Sequence, residues 1–213
     1  MQLTPGAVQD GMHPSAANII SLYRRHAQAW HKRRQGIPGE AIWMDRFTAL
    51  LPAQAHVLDL GCGTGVPNAR HIIGQGHAVT GVDTSPELLA IATTGLPDAT
   101  WITADMRSLA LDIQFAGILA WHSFFHLSQD DQRAMFAVFQ RHAAPGAALM
   151  FTSGPSDGEA IGTFEGEPLY HASLDPDEYR SFLTHHGFAV IKHIAEDPDC
   201  GGATVWLAQS QAT

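Results

Sequence analysis

The sequence predicts an α/β domain built on an open, mostly parallel sheet covered by helices on both faces. Two observations carry this: strand and helix patterns alternate from about residue 56 onward, and the strands read as continuous apolar runs. A third is Val57-Leu-Asp-Leu-Gly-Cys-Gly-Thr-Gly-Val66, where an apolar strand runs through Asp59 into glycines at Gly61, Gly63 and Gly65. Glycine reaches backbone angles that other residues adopt only at a cost, and it lets a ligand approach the main chain.

The elements follow in order. Met1 to Pro14 reads as a flexible tail, residues 15–213 as one domain, and 15–50 as N-terminal cap helices. Ile19, Leu22, Tyr23, Ala27 and Trp30 recur at helical spacing, which predicts a helix over Ser15–Gln35; a second runs from Gly39 to Leu50. His56–Leu60 is a strand and Pro67–Gln75 a helix, with Pro67 in the first turn where its missing N–H costs no helical bond. Ala78–Val82 is the second strand. Thr84-Ser85-Pro86 then opens a helix over Glu87–Thr94, with a hydroxyl cap before the proline.

Thr100–Thr103 and Phe115–Trp121 are strands, and Ser128 caps a helix reaching His142. Pro145-Gly146 turns the chain into a strand over Ala147–Thr152. Residues 154–174, rich in Gly and Glu and without clear period, read as a lid segment. Asp175–His186 is a helix closed by Gly187, and strands follow near Phe188–Ala195 and Thr204–Ala208.

Bulk properties narrow the function. A chain of 213 residues, 45% hydrophobic, is long enough for one well-covered core. Its net charge of -9 argues against a nucleic-acid partner, which needs a basic face. The local basic cluster Arg24, Arg25, Lys32, Arg33 and Arg34 reads as a solvated helix face. Cys62 and Cys200 are the only cysteines, and Cys62 sits inside the glycine turn, so both read as reduced thiols. No run approaches the roughly 18 apolar residues of a membrane span. The expectation is a soluble, cytoplasmic protein.

In an open parallel sheet the ligand lies beyond the carboxyl ends of the strands. That rule gathers the Gly61–Gly65 turn, Asp83, Asp105 and Trp121-His122 into one cleft. Asp83 stands near the separation of about 20 residues expected of an acid that grips both ribose hydroxyls; a helix cap is its structural alternative. Asp105 is placed to accept from an adenine amino group, with Ala104 and Met106 against the ring and Thr84 beside Asp83. A pyrophosphate fingerprint fails here: the third glycine comes one residue early, Val66 takes its place, and Asp59 brings an unhelpful charge. The pattern suits a ribose, an adenine and a zwitterionic sulfonium tail.

Taken together, VLDLGCGTG, GVDTS, TADMRSL and the strand leading to AWHSFFHL resemble the ordered motifs of class I S-adenosylmethionine-dependent methyltransferases over about Leu50 to Ser153. The tail, with LYHASLDPDEYRSFL, HHGFAVI and CGGATVWLA, looks like small bacterial members. The resemblance implies a Rossmann-like, doubly wound, seven-stranded sheet with an antiparallel last strand. It also implies S-adenosylmethionine as cofactor, held by Asp59, Gly61, Cys62, Gly63, Gly65, Asp83, Thr84, Ala104, Asp105, Met106 and Trp121.

Methyl transfer by in-line displacement to a small-molecule acceptor follows, with alignment as the main catalytic contribution. His122 falls where such enzymes place residues near the methyl, and an imidazole suits a general base at neutral pH. His126, Tyr170 and His171, and Tyr23 and Trp30 from the N-terminal helix, are candidate acceptor contacts; aromatic rings favour a sulfonium through cation–π attraction. Tyr23 and Trp30 also fit core packing. No metal site is expected: no Cys/His spacing matches zinc. Methylation of RNA or protein, non-catalytic cofactor binding and nicotinamide chemistry are the alternatives; Val66 counts against the last.

Overall fold

The computed structural model describes residues 13–34, 36–37 and 39–211. All but the end of the expected tail lies outside them; His13 caps, and Pro14 opens, a short 3-10 turn over Pro14–Asn18. The predicted helix over 15–35 is not continuous. It divides into α1 (Ile19–Arg25) and α2 (Ala27–Arg33) at His26, whose backbone leaves helical geometry while its ring meets Glu167 at 2.6 Å. Next come α3 (Glu40–Thr48), β1 (His56–Leu60), α4 (Asn68–Gly74), β2 (Ala78–Asp83), α5 (Pro86–Gly95), β3 (Thr100–Thr103) and β4 (Phe115–Ala120). The chain then forms α6 (Gln129–His142), β5 (Ala143–Ser153), β6 (Gly158–Phe164), β7 (Glu167–Ser173), α7 (Pro176–His185), β8 (Phe188–Asp197) and β9 (Ala203–Ser210).

Seven strands form one sheet in the order β3-β2-β1-β4-β5-β9-β8. β1 pairs in parallel with β2 and β4, and β9 runs antiparallel to both β5 and β8. The expected antiparallel last strand is present. Strand order reverses between β1 and β4, so the crevice opens beyond the end of β1.

Alternation along the central strands feeds two cores. Leu58, Leu60, Ile118, Ala120 and Phe151 face α6 and α7, where Phe124, Phe136, Phe139, Tyr179 and Trp206 fill the layer. Val57, Leu119, Met150 and Leu207 face Trp43, Met44 and Phe47 of α3 and Ala69 and Ile72 of α4.

Residues 154–174 differ from the aperiodic lid segment expected. They form a second, two-stranded antiparallel sheet of β6 and β7, registered from Gly158↔Ser173 to Phe164↔Glu167. Its two-residue turn, Glu165-Gly166, takes φ of 50° and 81°, the left-handed pair that matches strand twist. Glu-Gly is a weaker hairpin signal than Asn-Gly, so the turn reads poorly from sequence.

This hairpin holds α1 and α2 over the sheet end. Phe164 and Leu169 pack on Leu22, with Ile19, Tyr23 and Trp30 around them. Arg25 and His26 reach Glu167 at 2.5 and 2.6 Å, Arg33 reaches Glu165 at 3.4 Å, and Arg24 reaches Glu87 at 3.1 Å. The basic face is thus half-exposed yet matched by acids. Each exposed pair contributes at most about 1 kcal/mol, so the apolar contact dominates.

The Phe-rich core sets a stability test. Phe151 is wholly buried in β5 and stacks on Trp206 at 5.9 Å. Phe151→Ala is expected to lower unfolding free energy by about 3–5 kcal/mol in chemical denaturation, because the rigid layer collapses only partly into the void.

Candidate active site

The site begins with backbone. At the end of β1 the N–H groups of Gly61 and Cys62 both donate to the Val82 carbonyl, at 2.8 and 3.1 Å. The Gly63 N–H donates to Asp83 Oδ2 at 2.9 Å, and the Ser85 N–H to Oδ1 at 2.9 Å. Gly61 sits at φ +71°, and a Cβ there would come within 2.3 Å of the Ser123 side chain. A Cβ on Gly63 would meet Trp30 Nε1 at 3.2 Å. The turn therefore exists only with glycine at these two places.

Beyond it lies a cavity of about 390 Å³, walled by the turn, by Asp83, Thr84, Ala104, Asp105 and Met106 at the ends of β2 and β3, and by His122, Ser123 and His126 after β4. Ala16, Ile19, Ile20, Tyr23 and Trp30 cover it. A recess of about 30 Å³ adjoins it, lined by Arg34, Asp59, Cys62, Gly65 and Trp121 among others. Trp30, Gly61, Gly63 and His122 border both spaces.

Most of the sequence-predicted positions converge here. Asp59, Cys62, Gly65 and Trp121 face the recess; Asp83, Thr84, Ala104, Asp105, Met106, Tyr23, Trp30, His122 and His126 face the larger cavity. Two do not. The Tyr170 side chain is fully buried and donates to Glu159 at 2.6 Å, and His171 stacks behind the wall on His126 and Phe125, with centroids 4.9 and 5.2 Å away. Pairing of β7 with β6 fixes both side chains, so neither reaches the cavity as the lid reading expected.

Three further features shape the electrostatics. Burial, reinforced by the Asp83 charge and opposed by Arg34, pushes the Asp59 carboxyl up to about 7. Burial also raises Asp83, against the backbone N–H groups that hold its charged form. The Asp105 carboxyl is held below its usual range chiefly by the Arg107 side chain, which also binds Asp131 at 3.0 Å. Asp105 thus meets the cavity as one half of an ion pair.

Histidines of the wall are neutral. Burial, with Arg34, brings His122 down to about 4, and burial, with His171, brings His126 to about 3. His126 Nδ1 lies 2.7 Å from the Tyr170 carbonyl, so it carries the hydrogen; Nε2 then accepts the Tyr23 hydroxyl at 2.9 Å.

Sequence reasoning missed Glu40 and misplaced Arg34, which does not lie on a solvated helix face but is largely buried against Glu40. Glu40 is 3% exposed and accepts from both Arg34 terminal nitrogens at 2.8 and 2.5 Å, from the Ile37 N–H at 2.8 Å and from Trp121 Nε1 at 2.6 Å. Burial alone would raise its carboxyl, but the Arg34 fork keeps it below the usual range. In sequence Glu40 reads only as an acid favouring a helix start.

Among the described residues no group of three His, Cys, Asp or Glu is placed to hold a metal, and no helix is long and apolar enough to cross a membrane.

A methyltransferase-domain family model matches residues 57–146. A dTDP-3-amino-3,6-dideoxy-alpha-D-glucopyranose N,N-dimethyltransferase of Streptomyces fradiae is 29% identical over 140 residues, covering 65% of this chain and 45% of the relative. A trans-aconitate 2-methyltransferase of Escherichia coli is 40% identical over 72 residues, 31% of this chain and 29% of the relative. This chain spans less than half of either relative. Among solved structures, the 1,6-didemethyltoxoflavin-N1-methyltransferase of Burkholderia thailandensis, with 1,6-didemethyltoxoflavin and S-adenosylhomocysteine bound, superposes with a TM-score of 0.75 at 20% identity. That match covers 98% of this chain and 95% of the other.

The buried Asp59 sets a pH test. Its folded pKa exceeds the unfolded value near 3.9, so the folded form binds more protons between the two values and stability falls as pH rises through that window. Asp59→Asn is expected to abolish this fall, stabilising the unliganded protein by about 2–4 kcal/mol at pH 8 and by little at pH 4, measured by urea unfolding.

Proposed function

We propose that this chain is a class I S-adenosylmethionine-dependent methyltransferase and that it transfers a methyl group from S-adenosylmethionine to a small-molecule acceptor. The observation that carries this is the Asp83 carboxylate, fixed at the cavity wall by the Gly63 and Ser85 amides. Its remaining lone pairs suit two vicinal ribose hydroxyls.

The rest of the wall fits the other parts of that molecule. Ala104 and Met106 flank the place for an adenine, and the recess with Asp59 and Arg34 offers both signs of charge to an amino-acid tail. Trp30, Gly61, Gly63 and His122, shared by both spaces, mark the junction where the sulfonium belongs. Trp30 lines that junction, and Tyr23 meets the Trp30 ring edge to face with ring centroids 5.1 Å apart; aromatic rings there would favour a sulfonium.

When bound, S-adenosylmethionine supplies a methyl carbon on positively charged sulfur. The protein's own contribution is alignment and exclusion of water. α1 and α2, backed by the hairpin, cover the cavity, and proximity of aligned partners is worth several kcal/mol. His122 stands neutral at the junction to take the proton that an acceptor N–H or O–H gives up; burial and Arg34 bring it down to about 4, so in the unliganded site it is a weaker base than the free imidazole the sequence suggests. The relatives' names give a dTDP-linked amino sugar and trans-aconitate as acceptors, neither of them a macromolecule.

Calorimetric titration with S-adenosylhomocysteine tests this reading: binding is expected, and none at millimolar ligand overturns it. Asp83→Ala is expected to weaken binding by about 100-fold, the loss of hydrogen bonds to one charged group.

A further inference from the structure

We infer that Glu40 is the positioning residue of His122: its Oε1 takes the Nε2–H of the imidazole and leaves Nδ1 to receive the acceptor's proton. This rests on the reading of His122 given above and deepens it.

The geometry points there from two sides. Glu40 Oε2 already accepts from Arg34 and the Ile37 N–H, and Oε1 from Arg34 and Trp121. His122 Nε2 approaches the same Oε1 at 3.5 Å. Catalytic hydrogen bonds are often this long before ligands bind. An ion pair with Arg34 alone would need neither Trp121 nor His122, yet adjacent residues after β4 both turn to Glu40.

His122 is itself held for the purpose. Its φ is +52°, a left-handed conformation that a non-glycine residue adopts only when its surroundings impose it. The His122 N–H donates to Thr152 Oγ1 at 2.8 Å, which fixes the backbone, and the ring rests between Trp121 and Phe125.

The charged neighbours of that ring come from every side. Arg34, at the end of the N-terminal helices, and His171 of β7 disfavour an imidazolium; His126, after β4, is a neutral neighbour; Glu40 of α3 favours the charge. As the acceptor nitrogen or oxygen bonds to the methyl carbon, the electron pair of the broken carbon–sulfur bond stays on sulfur and the acceptor's proton passes to His122 Nδ1. One positive charge leaves the sulfur and one appears on the imidazole, facing the Glu40 carboxylate.

The test needs no acceptor. Long-range proton–nitrogen spectra of the full chain with labelled histidine, free and with S-adenosylhomocysteine, report the His122 tautomer and its titration; His122→Gln identifies the signal. The Nε2–H tautomer is expected in the native protein. Glu40→Gln is expected to lower the ring's proton affinity about tenfold, and Glu40→Asp to restore most of it. A Nδ1–H tautomer, or a titration unmoved in Glu40→Gln, overturns the inference. The native tautomer decides the matter alone if that variant does not fold. Absent S-adenosylhomocysteine binding strikes the proposed function; binding with the wrong tautomer strikes only the role of Glu40.

Discussion

The carbonyl of Val82 is the point on which the site turns. Two consecutive amides, of Gly61 and Cys62, close on it, and this draws the end of β1 against the end of β2. The next amide in the turn that points the same way, Gly63, then finds the Asp83 carboxylate. Nothing larger than hydrogen fits at Gly61, because Ser123 closes the space from β4's side with its hydroxyl donated to the Leu60 carbonyl at 2.6 Å. Main-chain bonds thus lock the ends of β1 and β2, and the Asp83 carboxylate and Ser123 hydroxyl complete the cavity floor.

The cover is made differently. α1 and α2 lie across the cavity on an apolar contact with the hairpin, edged by exposed ion pairs, while Arg34 and Glu40 tie the following segment to Trp121 beneath. The floor is a property of backbone and tolerates little change. The cover is a property of side chains from residues 16–34, backed by the hairpin. A fold that keeps its donor site while altering its acceptor divides its labour in this way.

The same division decides what the sequence discloses. The parallel sheet and the Asp83 position are legible because buried parallel strands and glycine turns impose patterns on neighbouring residues. Ser85 and Ser128 read as caps because a cap is a local bond; each accepts from an amide three residues on. The break at His26, the Glu165-Gly166 turn and the Glu40 cluster are not legible. Each depends on partners more than 80 residues away, or on a turn whose φ values no strong dipeptide announces. Tyr170 and His171 show the converse error: aromatic and imidazole side chains near a site suggest contact, but strand pairing turned one toward Glu159 and the other onto His126.

Charge gives the arrangement its direction. Asp59 and Asp83 are both buried beside the turn, and each raises the cost of ionising the groups near it, Asp59 and the Cys62 thiol included. Arg34 relieves Asp59 only in part, since its guanidinium is already forked to Glu40. Two confined carboxyls with one shared, committed cation make a site whose electrostatic energy falls when a positive ligand enters, and the neutral His122 and His126 add no competing charge. A sulfonium with an ammonium tail meets that condition, whereas a pyrophosphate would add negative charge to carboxyls already costly to ionise. Under the proposed function, discrimination between an adenosyl amino acid and a dinucleotide would reside in Asp59 as much as in the spacing of the glycines.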